Sequence, residues 1–224
     1  MASGALSSFL GGLTPQEHRA FLRRGRRRRY RAGVALFREG ERFSEGVLAV
    51  LSGHVKVSYF TDEGQEIVVA IRGPGELLGI LEAIDGEPPA ATGMALGAVE
   101  AVVVGAETFA EFLEEYPRVA MVMLRTLSRW LREATRRRIE YSALDVTGQV
   151  AARLVDLADR YGEPSGGRVR ILLPLTQEEL ASWVGVSREA VSKALRALRQ
   201  RGWIETHRRG ITVLNRDALR LHAT

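Results

Sequence analysis

Residues 176–202 read TQEELASWVGVSREAVSKALRALRQRG. Thr176 and Glu179 have the spacing of a capping box, so a helix starts here. Gly185 breaks it after about two turns. Ser187 is placed to cap a second helix from Arg188 to Arg201, and Gly202 stops that helix as a C′ glycine. Ala181, Gly185 and Val191 fall where two crossing helices need a small residue, a turn residue and a packing residue. That is the helix-turn-helix pattern. The second helix has two faces. Val191, Ala194, Leu195 and Leu198 form the inward one, and Arg188, Glu189, Ser192, Lys193 and Arg196 the other. On a recognition helix, polar residues near the N-terminus reach base edges: Arg and Lys suit guanine, and Glu accepts from cytosine N4.

Beyond this segment, Trp203-Ile204-Glu205 and Ile211-Thr212-Val213-Leu214 flank a turn at Arg208-Arg209-Gly210. This reads as a β wing whose arginines meet phosphate. Charge agrees with that reading. Residues 1–144 carry 19 Lys/Arg against 18 Asp/Glu, and residues 145–224 carry 13 against 9. A basic C-terminal end suits a polyanionic partner, nucleic acid first. The competing reading is a ligand-binding or protein-docking module whose winged domain serves assembly.

Working back, Asp145 can cap a helix ending near Tyr161-Gly162, GEPSGG (162–167) reads as a turn, and Val169, Ile171 and Leu173 alternate as a strand. Pro117 opens a helix free of Gly and Pro to about Ala143. Along it Ala120, Leu124, Leu127, Leu131, Ala134, Arg138 and Tyr141 alternate by four and three, a heptad seam that favours a two-fold dimer coil over packing on the chain's own domain. From Val34 to Val104, short β-rich runs (VALF, GVLAVLSG, HVKVSYF, EIVVAI, VEAVVV) are separated by glycine turns, as in a sandwich, roll or barrel. Thr14-Pro15 starts a short helix to about Arg23, and RRGRRRRYR (23–31) reads as a solvated strand-and-turn surface rather than a nucleic-acid patch.

The chain has 224 residues, of which 46% are hydrophobic and none is cysteine. Thiol catalysis, disulfides and cysteine-ligated clusters are therefore excluded. His18, His54, His207 and His222 are scattered, so no haem ligand or cupin-type metal set is placed, and no nucleophile–base constellation marks an enzyme. The opening MASGALSSFLGGL lacks a basic n-region, and no apolar run reaches membrane-span length, so a cytoplasmic protein with no membrane partner is expected.

LFREGE (36–41), LSGHVKV (51–57), PGELLG (74–79), DVTGQVA (145–151) and LTQEELASWVGVSREAVSKALRAL (175–198) resemble segments of the CRP/FNR family of bacterial transcription regulators. The resemblance implies an α+β chain. Its parts are an N-terminal cyclic-nucleotide-binding-like β-roll (a double-stranded β-helix) over 1–116, a long dimerisation helix and hinge over 117–144, and a winged helix-turn-helix over 145–224. It also implies a homodimer on double-stranded DNA, with RNA polymerase as a further partner. In the cAMP receptor protein subgroup an Arg-Glu pair and a basic residue four positions beyond the Glu read bases; Arg188, Glu189 and Lys193 match. Ser192 and Glu189 match the FNR subgroup in part. Arg188 points to a TGTGA-like half-site, and Lys193 stands where Arg is usual, which loosens a bidentate contact. Thr176, Gln177, Ser187, Arg196, Arg208 and Arg209 are the expected phosphate contacts.

The family's cAMP pocket follows G-E-L-(A)-x-x-D-G-x-P-R-S-A. Against GILEAIDGEPPAA (79–91), Gly79 and Leu81 match, but the ribose-binding Glu is Ile80, the phosphate-binding Arg is Pro89 and the Ser is Ala90. The adenine-contacting Thr-Ser pair becomes Ala134-Thr135. Hydrogen bonds to charged groups contribute roughly 1.5–3 kcal/mol each, so losing two costs on the order of a hundred- to ten-thousand-fold in affinity. No cofactor is expected, cAMP is not the expected ligand, and no other effector is legible.

Overall fold

The computed structural model describes residues 8–41, 45–173, 175–207 and 210–223. The chain divides into two units, one ending at Trp130 and one starting at Leu131. The first opens with a 3-10 turn (Leu10–Gly12) and continues through α1 (Pro15–Arg24), β1 (Arg26–Tyr30), β2 (Ala35–Phe37), β3 (Val47–Ser52) and β4 (Val55–Phe60). It goes on with β5 (Glu66–Arg72), β6 (Leu77–Leu78), α2 (Ile80–Asp85), β7 (Thr92–Ala95), β8 (Val99–Val104) and α3 (Ala106–Glu115), then enters α4 (Pro117–Ala143).

Two four-stranded antiparallel sheets, in the orders β1-β8-β3-β6 and β2-β7-β4-β5, form the roll. The run Val47-Leu48-Ala49-Val50 is buried throughout because its strand is covered on both sides. Leu48 and Val50 join Leu36, Phe37, Val55 and Ala95 between the sheets. Val47 and Ala49 face the helices, among Phe21, Phe109, Phe112, Val119 and Val122. Phe21 sits at the centre of that helical side, edge-on to Phe9 at 5.8 Å and to Phe112 at 5.6 Å.

Glu17 caps α1 by accepting from Thr14 N at 2.7 Å, and Arg118 of α4 donates to it from Nε at 2.8 Å. Hydrogen bonding from Arg118 holds the Glu17 carboxyl at about 2, below its ordinary value. Buried cations of the roll are matched: Lys56 Nζ lies 3.0 Å from Glu66, and Arg72 lies 3.7 Å from Glu76 and 4.0 Å from the Trp130 ring centroid.

The second unit holds the end of α4, α5 (Val146–Tyr161), β9 (Gly162–Ser165), β10 (Arg168–Ile171), α6 (Gln177–Val184) and α7 (Arg188–Gln200). It closes with β11 (Ile204–His207), β12 (Gly210–Val213) and α8 (Arg216–His222). Its sheet has the order β11-β12-β10-β9. Asp145 caps α5, accepting from Gly148 N at 2.7 Å. The end of α4 is tied to α5 by ion pairs between Glu140 and Arg153 and between Glu133 and Arg160, the latter at 3.5 Å. The boundary between the units falls inside α4, upstream of the 144/145 division that the resemblance implies.

Several local readings need correction. Residues 162–165 are a strand rather than part of a turn, paired with β10, and the turn is confined to Gly166 and Gly167 at positive φ. Strand β10 stops at Ile171, short of Leu173. Helices α2, α3 and α8 were not anticipated. GILEAID becomes helical because Gly79 and Gly86, both left-handed, bracket it. The arginines of β1 are exposed on an edge strand, with Arg27 and Arg28 paired to Glu100 and Glu45. Among the described residues no helix is long and apolar enough to cross a membrane.

Candidate nucleic-acid interface

Local chemistry shapes the two helices. Thr176 Oγ1 accepts from Glu179 N at 3.0 Å, while Thr176 N donates to Glu179 Oε2 at 2.9 Å, so both capping-box bonds start α6. Gly185 ends α6 at φ +82, a conformation that a side chain disfavours, and its N–H bonds Ala181 O at 2.8 Å. Ser187 Oγ then accepts from Ala190 N at 3.2 Å and starts α7.

Helix α7 turns Val191, Ala194, Leu195 and Leu198 into the core of the unit. The opposite face is left exposed at Arg188, Glu189, Lys193 and Arg196, with Ser192 half-buried. Among the described residues none of those four charged side chains has an ion-pair partner. Their charges therefore stay open to a ligand. Together with Gln177 of α6 they line one concavity of about 540 Å³. Strands β11 and β12 pair in register as a hairpin, from Ile204 opposite Val213 to His207 opposite Gly210. Arg208 and Arg209, expected to contact phosphate, lie outside the described residues. Thr176, Gln177 and Ser187 are all exposed at the two helix starts, beside the α7 face.

Residues aligned with the nucleotide pocket are placed differently. Gly79 caps α2 at φ +73. Ile80 is 1% exposed and belongs to the helical-side core, while Leu81 is 52% exposed. Pro89 is buried, its carbonyl accepting from Gly40 N at 2.9 Å, and Ala90 is exposed. Ala134 and Thr135 are in the other unit, exposed, with Thr135 Oγ1 donating to Leu131 O at 2.9 Å. Sequence reasoning missed the ion pairs of Lys56 and Arg72 and the stacking of Trp130; Lys56 lies inside an alternating strand, and only Arg72 closes an apolar run.

Of the expected seam, Leu124 is 51%, Leu131 70% and Tyr141 64% exposed. Leu127 is half-buried, packed against the roll core. Among the described residues no group of three or more His, Asp or Glu could hold a metal ion.

A cyclic nucleotide-binding domain model matches residues 27–116, and a Crp-like helix-turn-helix domain model matches residues 148–221. A CRP-like cAMP-activated global transcriptional regulator of Mycobacterium tuberculosis is 35% identical over 189 residues, covering 84% of this chain and 83% of that protein. The cyclic AMP receptor protein of Thermus thermophilus is 31% identical over 196 residues, covering 88% and 87%. The structure of FixK2 from Bradyrhizobium japonicum shares the fold, with a TM-score of 0.79 at 21% identity over 89% of this chain and 98% of that one. The first of these relatives is a transcriptional regulator and not an enzyme. With both domain models in order along one chain, and relatives above 30% identity matched over more than four fifths of each chain, the protein belongs to the CRP/FNR family of transcription regulators.

Proposed function

We propose that the chain works as a homodimer on a pseudo-palindromic operator with TGTGA-like half-sites, outside the control of cAMP through the family's usual contacts. Arg188, Glu189, Ser192 and Lys193 read base edges. Thr176, Gln177, Ser187, Arg196, Arg208 and Arg209 hold phosphates. The observation that carries this reading is the open charged face of α7, where Arg188, Glu189, Lys193 and Arg196 surround one concavity with Gln177.

Three features of the roll support independence from cAMP. Ile80 is core, residues 75–93 carry no Lys or Arg, and the buried cations Lys56 and Arg72 already have carboxylate partners. Relatives named for cAMP activation favour the opposite reading, that other groups have replaced the lost contacts. Fluorescence anisotropy of a duplex with inverted TGTGA half-sites, with and without cAMP, separates the two. Affinity unchanged by cAMP is expected. Binding that appears only with cAMP would overturn the independence while leaving the DNA reading intact.

A further inference from the structure

Beneath the helix-turn-helix lies a partly open cavity of about 310 Å³, bordered by α5, α6, α7, β10 and the β11–β12 hairpin. Its walls are apolar: Leu154, Leu157, Leu173, Leu180, Leu195 and Ile211. A space of this size and lining falls in the range of small-molecule sites, which begins near 300 Å³. The rim carries Thr176, Gln177, Thr206 and His207. Three of these are engaged locally. Thr176 serves the capping box, Thr206 Oγ1 accepts from Arg199 Nη1 at 2.9 Å, and His207 Nε2 is 3.0 Å from Thr212 Oγ1. Among the described rim residues the Gln177 carboxamide remains for a ligand. Glu178 and Glu179 in the first turn of α6 oppose an anion there.

We propose that this cavity is a second effector site, in the DNA-reading unit itself, for an uncharged and largely apolar molecule of two or three rings or a comparable acyl chain, with one hydrogen-bonding group for Gln177. Gln177 lines both this cavity and the concavity on the α7 face. A ligand inside therefore acts on a residue assigned to phosphate. This coupling rests on the DNA reading above; occupancy of the cavity does not.

The probe for the test is N-phenyl-1-naphthylamine, a neutral fluorophore that brightens in apolar surroundings, titrated into the full chain. Saturable binding at one equivalent per chain is expected. Leu175→Trp and Ile211→Trp, at half-buried lining positions, fill the space and weaken binding about tenfold or more. Leu221→Trp, on the exposed side of α8, leaves it unchanged. Circular dichroism checks each variant's fold. Absence of saturable binding, or binding that both folded filling variants leave intact, overturns the site. In the operator assay, saturating probe shifts wild-type affinity about fivefold or more and leaves Leu175→Trp unaffected. Bound probe with no shift overturns the coupling. If no duplex binds at all, the DNA reading fails, and the fluorescence titration still decides the cavity.

Discussion

At the scale of single residues, the interface depends on charges that the fold leaves unmatched. Arg188 is exposed at the start of α7 with no ion-pair partner among the described residues, so its removal disturbs no internal network. Arg188→Ala is expected to leave thermal stability unchanged, cost about 1–3 kcal/mol in operator binding and relax discrimination at one base pair. Competition with single-base operator variants measures this; uniform weakening on every sequence would assign Arg188 to phosphate instead. Glu17 is the opposite case, a buried carboxylate with a full set of donors. Its value, lowered from 4.5 to about 2, means that its contribution to stability is complete above pH 4.5 and fades as pH falls toward 2. Glu17→Gln is expected to destabilise the roll by about 1–2 kcal/mol at neutral pH, less than a fully buried pair because Arg118 is half exposed. Denaturant titrations of both proteins should converge as pH drops through that window.

Among the elements, caps and breakers were the most legible. Helix α4 matches its expected span from Pro117 to Ala143, because Pro at the start and the absence of Gly and Pro afterwards are local signals. Helices α6 and α7 were legible for the same reason: their capping residues act within three positions. Strand β9 was not, since GEPS is extended only through its pairing with β10. Helix α8 has a single buried anchor, Leu219, and so no periodic pattern to read. The seam of α4 shows the limit of spacing. Leu124, Leu127 and Leu131 all fall on the heptad seam, but Leu127 packs on the roll and the other two stay exposed. A second copy covering Leu124 and Leu131 is the expected remedy for such apolar exposure. Leu131→Glu should therefore shift the protein toward monomer in sedimentation velocity and weaken operator binding, with the roll's own stability unchanged. Retention of the dimer would move the interface off α4.

For the whole molecule, net charge and its distribution set the expected partner. A duplex held by several Arg and Lys contacts releases counterions, so affinity should fall steeply, by about a thousandfold or more, between roughly 50 and 200 mM salt. A flat salt response in the anisotropy assay would favour the assembly reading of the winged unit. The amino-acid order by itself determined where helices start and stop, which face of α7 is polar, and that residues 79–91 carry no Lys or Arg. All of these depend on side chains acting within a few positions of one another. Tertiary structure decided that Ile80 is core, that Lys56 and Arg72 meet carboxylates inside the roll, that Leu127 packs against the roll core, and that an apolar space lies beneath the α6 start. Those outcomes depend on packing between segments distant in the chain, which no local spacing encodes.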